Sequence, residues 1–181
     1  MTTILPTAFF PSIEYMQILG GGDVLIEAHE NYIKQSERNR CLLLSDKGVE
    51  RLTVPVARTG GAKVLISDVR IDYAMPWQRT HLRTIRTLYA NAPYFDHYFP
   101  VVEELLSGRE SFLLDLNNKI LERWIGIFGI SDSPSMTSEY CGLTARPRVE
   151  PCCYVQVWAE KIPFQGGLSS LDYLFCEGAS L

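Results

Sequence analysis

Residues 24–44, VLIEAHENYIKQSERNRCLLL, decide how this chain is expected to fold. The apolar runs at 24–26 and 41–44 have the length and composition of buried β-strands. The segment 31–40 between them is mostly polar and contains several cationic side chains. Binding residues often lie on loops that rigid strands hold in place. The pattern therefore predicts two strands that position a binding loop.

The rest of the N-terminal half predicts one helix and further strands. Pro11 stands where a first helical residue is favoured, before a helix over 12–19 that three glycines at 20–22 end. Turn residues at 45–48 join predicted strands at 41–45 and 49–57 into a hairpin. After a flexible link at Gly60-Gly61, alternating apolar residues predict a strand over 64–71, with Leu65, Val69 and Ile71 on one face.

The C-terminal half has the pattern of helices. Apolar residues recur at helical spacing over 76–89, 100–107 and 110–128, and Gly129 is placed to cap the last of these. Residues 131–151, rich in Ser, Pro and Thr, predict an irregular connector. A short strand at 155–158 and a helix at 168–175 follow.

Together these elements predict a single α/β domain over residues 1–181. A mixed β-sheet from the N-terminal half would be covered by helices from residue 76 onward. An α+β arrangement with segregated layers is the alternative.

The composition is that of an ordinary globular protein, with 46% hydrophobic and 21% charged residues. No apolar run approaches the roughly 20 residues needed to span a bilayer. The first residues lack the basic region of a signal peptide. Five cysteines without CxxC spacing predict a reduced, cytoplasmic chain. The three histidines are widely spaced and predict no metal site, and no cofactor or oligomeric state is indicated.

Charge is distributed unevenly along the chain. Between Lys34 and Arg86 there are eleven Lys and Arg residues against five acids, a net charge of +6, so a total of −4 leaves −10 for the remainder. Binding of long nucleic acid needs a broad basic face, so it is not expected. A small anion, such as a nucleotide diphosphate or a carboxylate, is the predicted partner, and scattered surface charges are the alternative.

In the polar loop, Lys34, Arg38 and Arg40 predict binding of phosphate or carboxylate, because arginine side chains bind such groups through two parallel hydrogen bonds. Asn39 tolerates a left-handed backbone, and a turn there would direct both arginines outward. The alternative is a set of ordinary surface ion pairs with Glu30 and Glu37, which contribute little stability.

The predicted helix over 76–89 has two distinct faces. Trp77 and His81 lie with apolar residues on one face, whereas Arg79, Arg83 and Arg86 lie on the other. A desolvated His81 would be neutral and able to act as a general base. The alternative interpretations are a core histidine and a solvated arginine face.

Two further patterns favour structural roles. The aromatic residues around Pro93, in 89–95, are typical of a packing corner. Ser169 and Asp172 have the spacing of a helix capping box.

Several ordered segments resemble the WbqC-like family of bacterial proteins. The resemblance depends on the segments 27–35, 38–40, 52–56, Asp72, 77–81, 89–95, 154–158 and 168–172. Many members carry His-Gln-Pro near the N-terminus, where this chain has Ile4-Leu5-Pro6.

The resemblance implies a role in O-antigen-type surface-polysaccharide biosynthesis. It implies a transferase that moves an acyl or aminoacyl group to a nucleotide-linked amino sugar. His81 would be the catalytic base, and substrate-binding residues would be Tyr32, Lys34, Arg38, Asn39, Arg40, Trp77 and Arg79. A non-catalytic protein that binds an anionic ligand or assists assembly is the competing hypothesis.

Overall fold

The computed structural model describes residues 2–58, 60, 63–150 and 152–180. Strands β1 (Thr3–Pro6) and β2 (Val24–Glu27) pair in parallel, with Thr3 opposite Val24. Strand β5 (Ser135–Met136) pairs in parallel with the other edge of β2. This three-stranded sheet places the polar loop directly after its central strand.

Helix α1 (Ile13–Gly20) connects β1 to β2 and ends at the glycines, as predicted. Its N-cap is Ser12, whose hydroxyl accepts a hydrogen bond from the backbone N–H of Tyr15. The prediction that Pro11 is the first helical residue was wrong. Ser12 is the extended N-cap residue, so the helix begins at Ile13.

Strands β3 (Arg40–Ser45) and β4 (Gly48–Thr53) form the predicted antiparallel hairpin. Strand β4 is shorter than predicted and ends two residues before Pro55, which has no N–H to donate. The hairpin is a separate two-stranded sheet. The α/β class with strands of both orientations is confirmed.

The segment 64–71 is not the predicted strand. It contains a 3-10 turn, Ile66–Asp68, and isolated bridges join it to three different places in the chain. Leu65 is 40% exposed whereas Val69 and Ile71 are buried, so the expectation that these three residues share one face was wrong. Because this segment forms its bridges with three different partners, its side chains do not alternate between two faces as they would beside a single neighbouring strand. Of the predicted flexible link, Gly61 lies outside the described residues.

Four helices complete the fold, and three lie close to their predicted positions. They are α2 (Trp77–Tyr89), α3 (Phe95–Ser107), α4 (Leu113–Phe128) and α5 (Ser170–Glu177). Helix α3 begins five residues earlier than predicted and contains Pro100. The stacked rings of Phe95 and Phe99, 4.6 Å apart, are buried and favour this earlier start. Gly129 caps α4 with a φ of 65°, as predicted.

Between residues 131 and 150 the chain is irregular apart from β5, a strand that the sequence pattern did not indicate. The predicted strand at 155–158 was also wrong, since no residue there is in a strand. Instead, the side-chain amide of Gln156 exchanges two hydrogen bonds with the backbone of Gln165, which folds this segment back on itself.

Helix α5 packs against the start of the chain. The hydroxyl of Ser169 donates to the carbonyl of Phe10, and that of Ser170 donates to the carbonyl of Pro11. The indole N–H of the fully buried Trp124 in turn donates to the Ser170 hydroxyl at 2.8 Å. Within the described part of the chain, no helix has the length and apolar character needed to cross a membrane.

Candidate functional site

A cavity of about 520 Å³ lies beyond the carboxyl end of β1, and we call it the Arg40 cavity. In parallel sheets, ligands commonly bind outside the carboxyl ends of the strands. Its walls come from residues 9–12 and Glu14, from the polar loop and β3 (35–37 and 40–42), from Arg51 and Arg146, and from Gly167 and Ser169. The hairpin, the polar loop and two helix starts therefore meet at one place.

Two bulky or polar residues in the wall have left-handed backbone conformations. Phe10 has a φ of 43° and Gln35 a φ of 60°. Such conformations are unfavourable for side chains other than glycine and are concentrated at functional sites, where the surrounding structure enforces them. Because both residues line the Arg40 cavity, this strain marks it as the candidate site.

The charged groups in the cavity are only partly neutralised. Arg146 pairs with Glu37, but the buried Nε of Arg40 has no hydrogen-bond partner among the described residues. Oε1 of Glu14 accepts a hydrogen bond from the backbone N–H of Gly167 at 3.0 Å. Its other oxygen, Oε2, is buried and makes no hydrogen bond within the described chain. Arg40 and Glu14, both in the cavity wall, thus each keep a buried polar atom without a hydrogen-bond partner among the described residues.

The starts of two helices also border the cavity. Ser12 and Ser169, the N-cap residues of α1 and α5, lie opposite each other in an isolated bridge and both line the wall. A helix N-terminus carries a partial positive charge, roughly half an elementary charge. Together with the arginines, these helix ends favour an anionic ligand.

Arg38 does not contribute to this surface. Its guanidinium forms a double hydrogen bond with the carboxylate of Glu30, with Nε to Oε1 at 2.7 Å, and it also donates to the Ser36 hydroxyl. The side chain is only 4% exposed. The expectation that a turn directs both Arg38 and Arg40 outward was therefore wrong for Arg38, because its guanidinium is bound by Glu30 and Ser36.

The other predicted loop residues do not line the Arg40 cavity either. Asn39 is buried, and its side-chain N–H donates to the carbonyl of Val54 beside the hairpin. Tyr32 packs against the core, and Lys34 is exposed. Of the predicted set, Arg40 alone lies in this cavity.

On α2, Trp77 and His81 are buried in the core, with ring centroids 5.1 Å apart. Burial lowers the pKa of His81 to about 4, against the effect of a hydrogen bond with the backbone of Thr53. His81 is thus neutral at pH 7, but neither residue lines the Arg40 cavity. Phe9, whose ring centroid is 6.1 Å from that of His81, lies between this cluster and the cavity wall.

Arg79 lies on the opposite face of α2 and lines a separate groove. The predicted residues are therefore divided among the Arg40 cavity, this groove and the core. Sequence spacing placed Trp77 and His81 on one helix face correctly, but it did not reveal that this face is covered.

The comparison with protein families is consistent with the resemblance seen in the sequence. Residues 7–149 match the WbqC-like protein family. The chain belongs to this family. The matched range includes the cavity-lining residues from Phe9 to Arg146, whereas Gly167 and Ser169 of this WbqC-like protein lie beyond it. No curated protein and no solved structure matches the chain.

Two buried carboxylates of the WbqC-like protein have hydrogen-bond partners that the sequence patterns did not indicate. The first is Asp172, which accepts hydrogen bonds from the hydroxyls of Tyr89 and Tyr154. Burial raises its pKa, and these two hydrogen bonds oppose that shift. Ser169 caps α5 as predicted, but the capping-box role of Asp172 was wrong, since its carboxylate faces the tyrosines. Partners so distant in sequence leave no local signal.

The second is Glu27, which organises the irregular connector. Its carboxylate accepts hydrogen bonds from the backbone N–H groups of His29, Cys141 and Gly142 and from the hydroxyl of Thr137, all at 2.9 Å. Burial alone would raise its pKa, but these hydrogen bonds hold the pKa below its usual value. Among the described residues, no group of three or more His, Cys, Asp or Glu is placed to bind a metal ion.

Proposed function

We propose that this WbqC-like protein binds an anionic small molecule, such as a nucleotide-linked sugar, in the Arg40 cavity. The observation that carries the proposal is the unpaired Nε of Arg40 in a cavity bordered by two helix N-termini. An arginine fork matches phosphate or carboxylate oxygens. A volume of about 520 Å³ is within the range of small-molecule sites.

A transferase activity is the second candidate, and Glu14 is the observation that favours it. Acyl or aminoacyl transfer to an amino sugar needs a group that accepts a proton from the attacking amine. The unpaired Oε2 of Glu14 is a carboxylate oxygen in the cavity wall. We assign the base role to Glu14 in place of His81, because His81 does not line the cavity. Surface-polysaccharide biosynthesis, implied by the family resemblance, is the proposed setting.

A cytoplasmic location is part of this proposal. All five cysteines are free thiols, including the buried Cys41 and Cys176. Disulfides are uncommon in reducing compartments.

Thermal unfolding in the presence of nucleotide-linked sugars tests the binding proposal, since a ligand that binds the native state raises its melting temperature. We expect a rise for the unsubstituted protein and for Arg123→Ala, which removes an exposed arginine far from the cavity lining. Arg40→Ala should abolish the rise. An equal rise in Arg40→Ala would overturn the proposal.

Glu14→Gln separates binding from transfer. The amide keeps the shape of the side chain but has lost most of the basicity of a carboxylate. We expect this variant to retain the ligand-induced rise in melting temperature and to lose turnover of an amino-sugar acceptor with an acyl donor. Turnover that persists in Glu14→Gln would exclude Glu14 as the base.

A further inference from the structure

A second site lies in a groove of about 980 Å³ between α2 and α3, which we call the arginine groove. Among the described residues, four arginines line it, Arg79, Arg83, Arg86 and Arg109, and the one acidic residue is Glu103. None of the residues that line the Arg40 cavity lines this groove. The groove is therefore strongly cationic, and the proposed function of the Arg40 cavity does not account for this charge.

The arginines fall into two classes. Two are held in place: Arg86 pairs with Glu103 at 3.0 Å and lies over the ring of Phe99, and Arg109 lies 5.3 Å over the ring of Tyr73. Arg79 and Arg83 are exposed and have no carboxylate within ion-pair distance in the described part of the chain. They are one helical turn apart on α2, so their like charges repel unless an anion lies between them.

A side-chain contact between the two walls of the groove stabilises its shape. The side-chain amide of Gln78 donates to the backbone carbonyls of Leu106 and Gly108, which connects α2 to the end of α3. This contact connects the two walls of the groove. Preorganised sites bind more tightly because less ordering is needed on association.

We propose that the arginine groove binds a small molecule with linked phosphate groups, with the phosphates on Arg79 and Arg83. Arginine forks bind phosphate oxygens in pairs, and a spacing of one helical turn suits two adjacent phosphates. Single-stranded nucleic acid is a poorer fit, because its binding needs an extended basic track. Outside residues 34–86 this chain carries a net charge of −10. The site is separate from that of the proposed function.

Calorimetric titration with inorganic tripolyphosphate tests this proposal, using the full chain with Arg40→Ala so that the other cavity does not contribute. We expect binding in this background. Adding Arg79→Ala and Arg83→Ala should raise the Kd by about tenfold or more, because the variant loses two charge-assisted contacts with phosphate. The matched control adds Arg123→Ala and Arg148→Ala, which remove the same charge from exposed positions elsewhere, and should change the Kd by less than about twofold.

Three results would overturn the proposal. They are no binding of tripolyphosphate in the Arg40→Ala background, equal losses in the two arginine pairs, and tighter binding of a single-stranded oligonucleotide through Arg79 and Arg83. Circular dichroism on each variant shows that the fold is kept. Because the background lacks Arg40, failure here leaves the test of the Arg40 cavity unaffected.

Discussion

The guanidinium of Arg38 and the carboxylate of Glu30 form a buried double hydrogen bond that fixes the polar loop to the end of β2. Both side chains are less than a tenth exposed. The backbone carbonyl of Arg38 also accepts a hydrogen bond from the side chain of Asn117 on α4. The position of Arg40, two residues further on, thus depends on an ion pair that itself binds no ligand.

Arg38→Ala should lower the free energy of unfolding by about 3–5 kcal/mol, because it leaves the Glu30 carboxylate buried without its partner. Urea denaturation gives the value. Arg123→Ala is the control: its pair with Glu104 is at least half exposed on both sides and 3.5 Å long, so we expect about 1 kcal/mol or less. Similar losses for the two variants would contradict the structural role of the Arg38 pair.

His81 should make stability fall as the pH is lowered. Its pKa is about 4 in the folded protein and 6.5 as an ordinary value, so the unfolded chain takes up the proton first. The contribution of His81 to stability is therefore fully present above pH 6.5 and is lost as the pH falls from 6.5 to 4. At about 1.4 kcal/mol per pKa unit, this loss amounts to about 3 kcal/mol. His81→Gln does not titrate, so its unfolding free energy should depend less on pH over this range. Parallel curves for the two proteins would show that His81 is not desolvated.

Tyr89→Phe should destabilise the fold by about 1–3 kcal/mol. The hydroxyl donates to Asp172 at 2.6 Å and accepts from the backbone N–H of Leu44, so its removal leaves two buried groups each short of a partner. Tyr140→Phe, at a position that is 67% exposed, serves as control and should change stability by less than about 0.5 kcal/mol. Thermal or urea unfolding measures both, and an unchanged Tyr89→Phe protein would contradict this network.

Two glycines of α4 should respond in opposite directions to alanine. Gly129 has a φ of 65°, so Gly129→Ala should cost about 1 kcal/mol of stability. Gly126 lies inside the helix, and an added Cβ there meets no atom within 4 Å. Gly126→Ala should therefore stabilise by about 0.5–1 kcal/mol. An unchanged stability in Gly129→Ala would contradict the left-handed cap, and a loss in Gly126→Ala would contradict the open space beside that position.

Local patterns were sufficient for the elements whose stability is local. Helix α2 and the hairpin β3–β4 follow from periodicity and turn residues alone, and the Gly129 cap follows from a glycine after an apolar stripe. The structures of segment 64–71 and of the two-residue strand β5 were not predicted correctly, because their hydrogen-bond partners are distant in sequence.

The site was predicted less well for the same reason. Charge identified Arg40 and Arg79 as candidates, but spacing along the chain could not show that Glu30 takes up Arg38 while Arg40 keeps an unpaired Nε. The strained backbone of Phe10, which marks the cavity, gives no signal in the sequence.

The contacts of α5 with Phe10 and Pro11 constrain the order of events during synthesis. Ser169 and Ser170 supply hydrogen bonds to residues translated about 160 positions earlier. While the chain is still on the ribosome, the strained segment after β1 lacks these partners. The Arg40 cavity can therefore be completed only once α5 has left the exit tunnel, and a nascent chain halted before that point would expose apolar surface to chaperones and proteases.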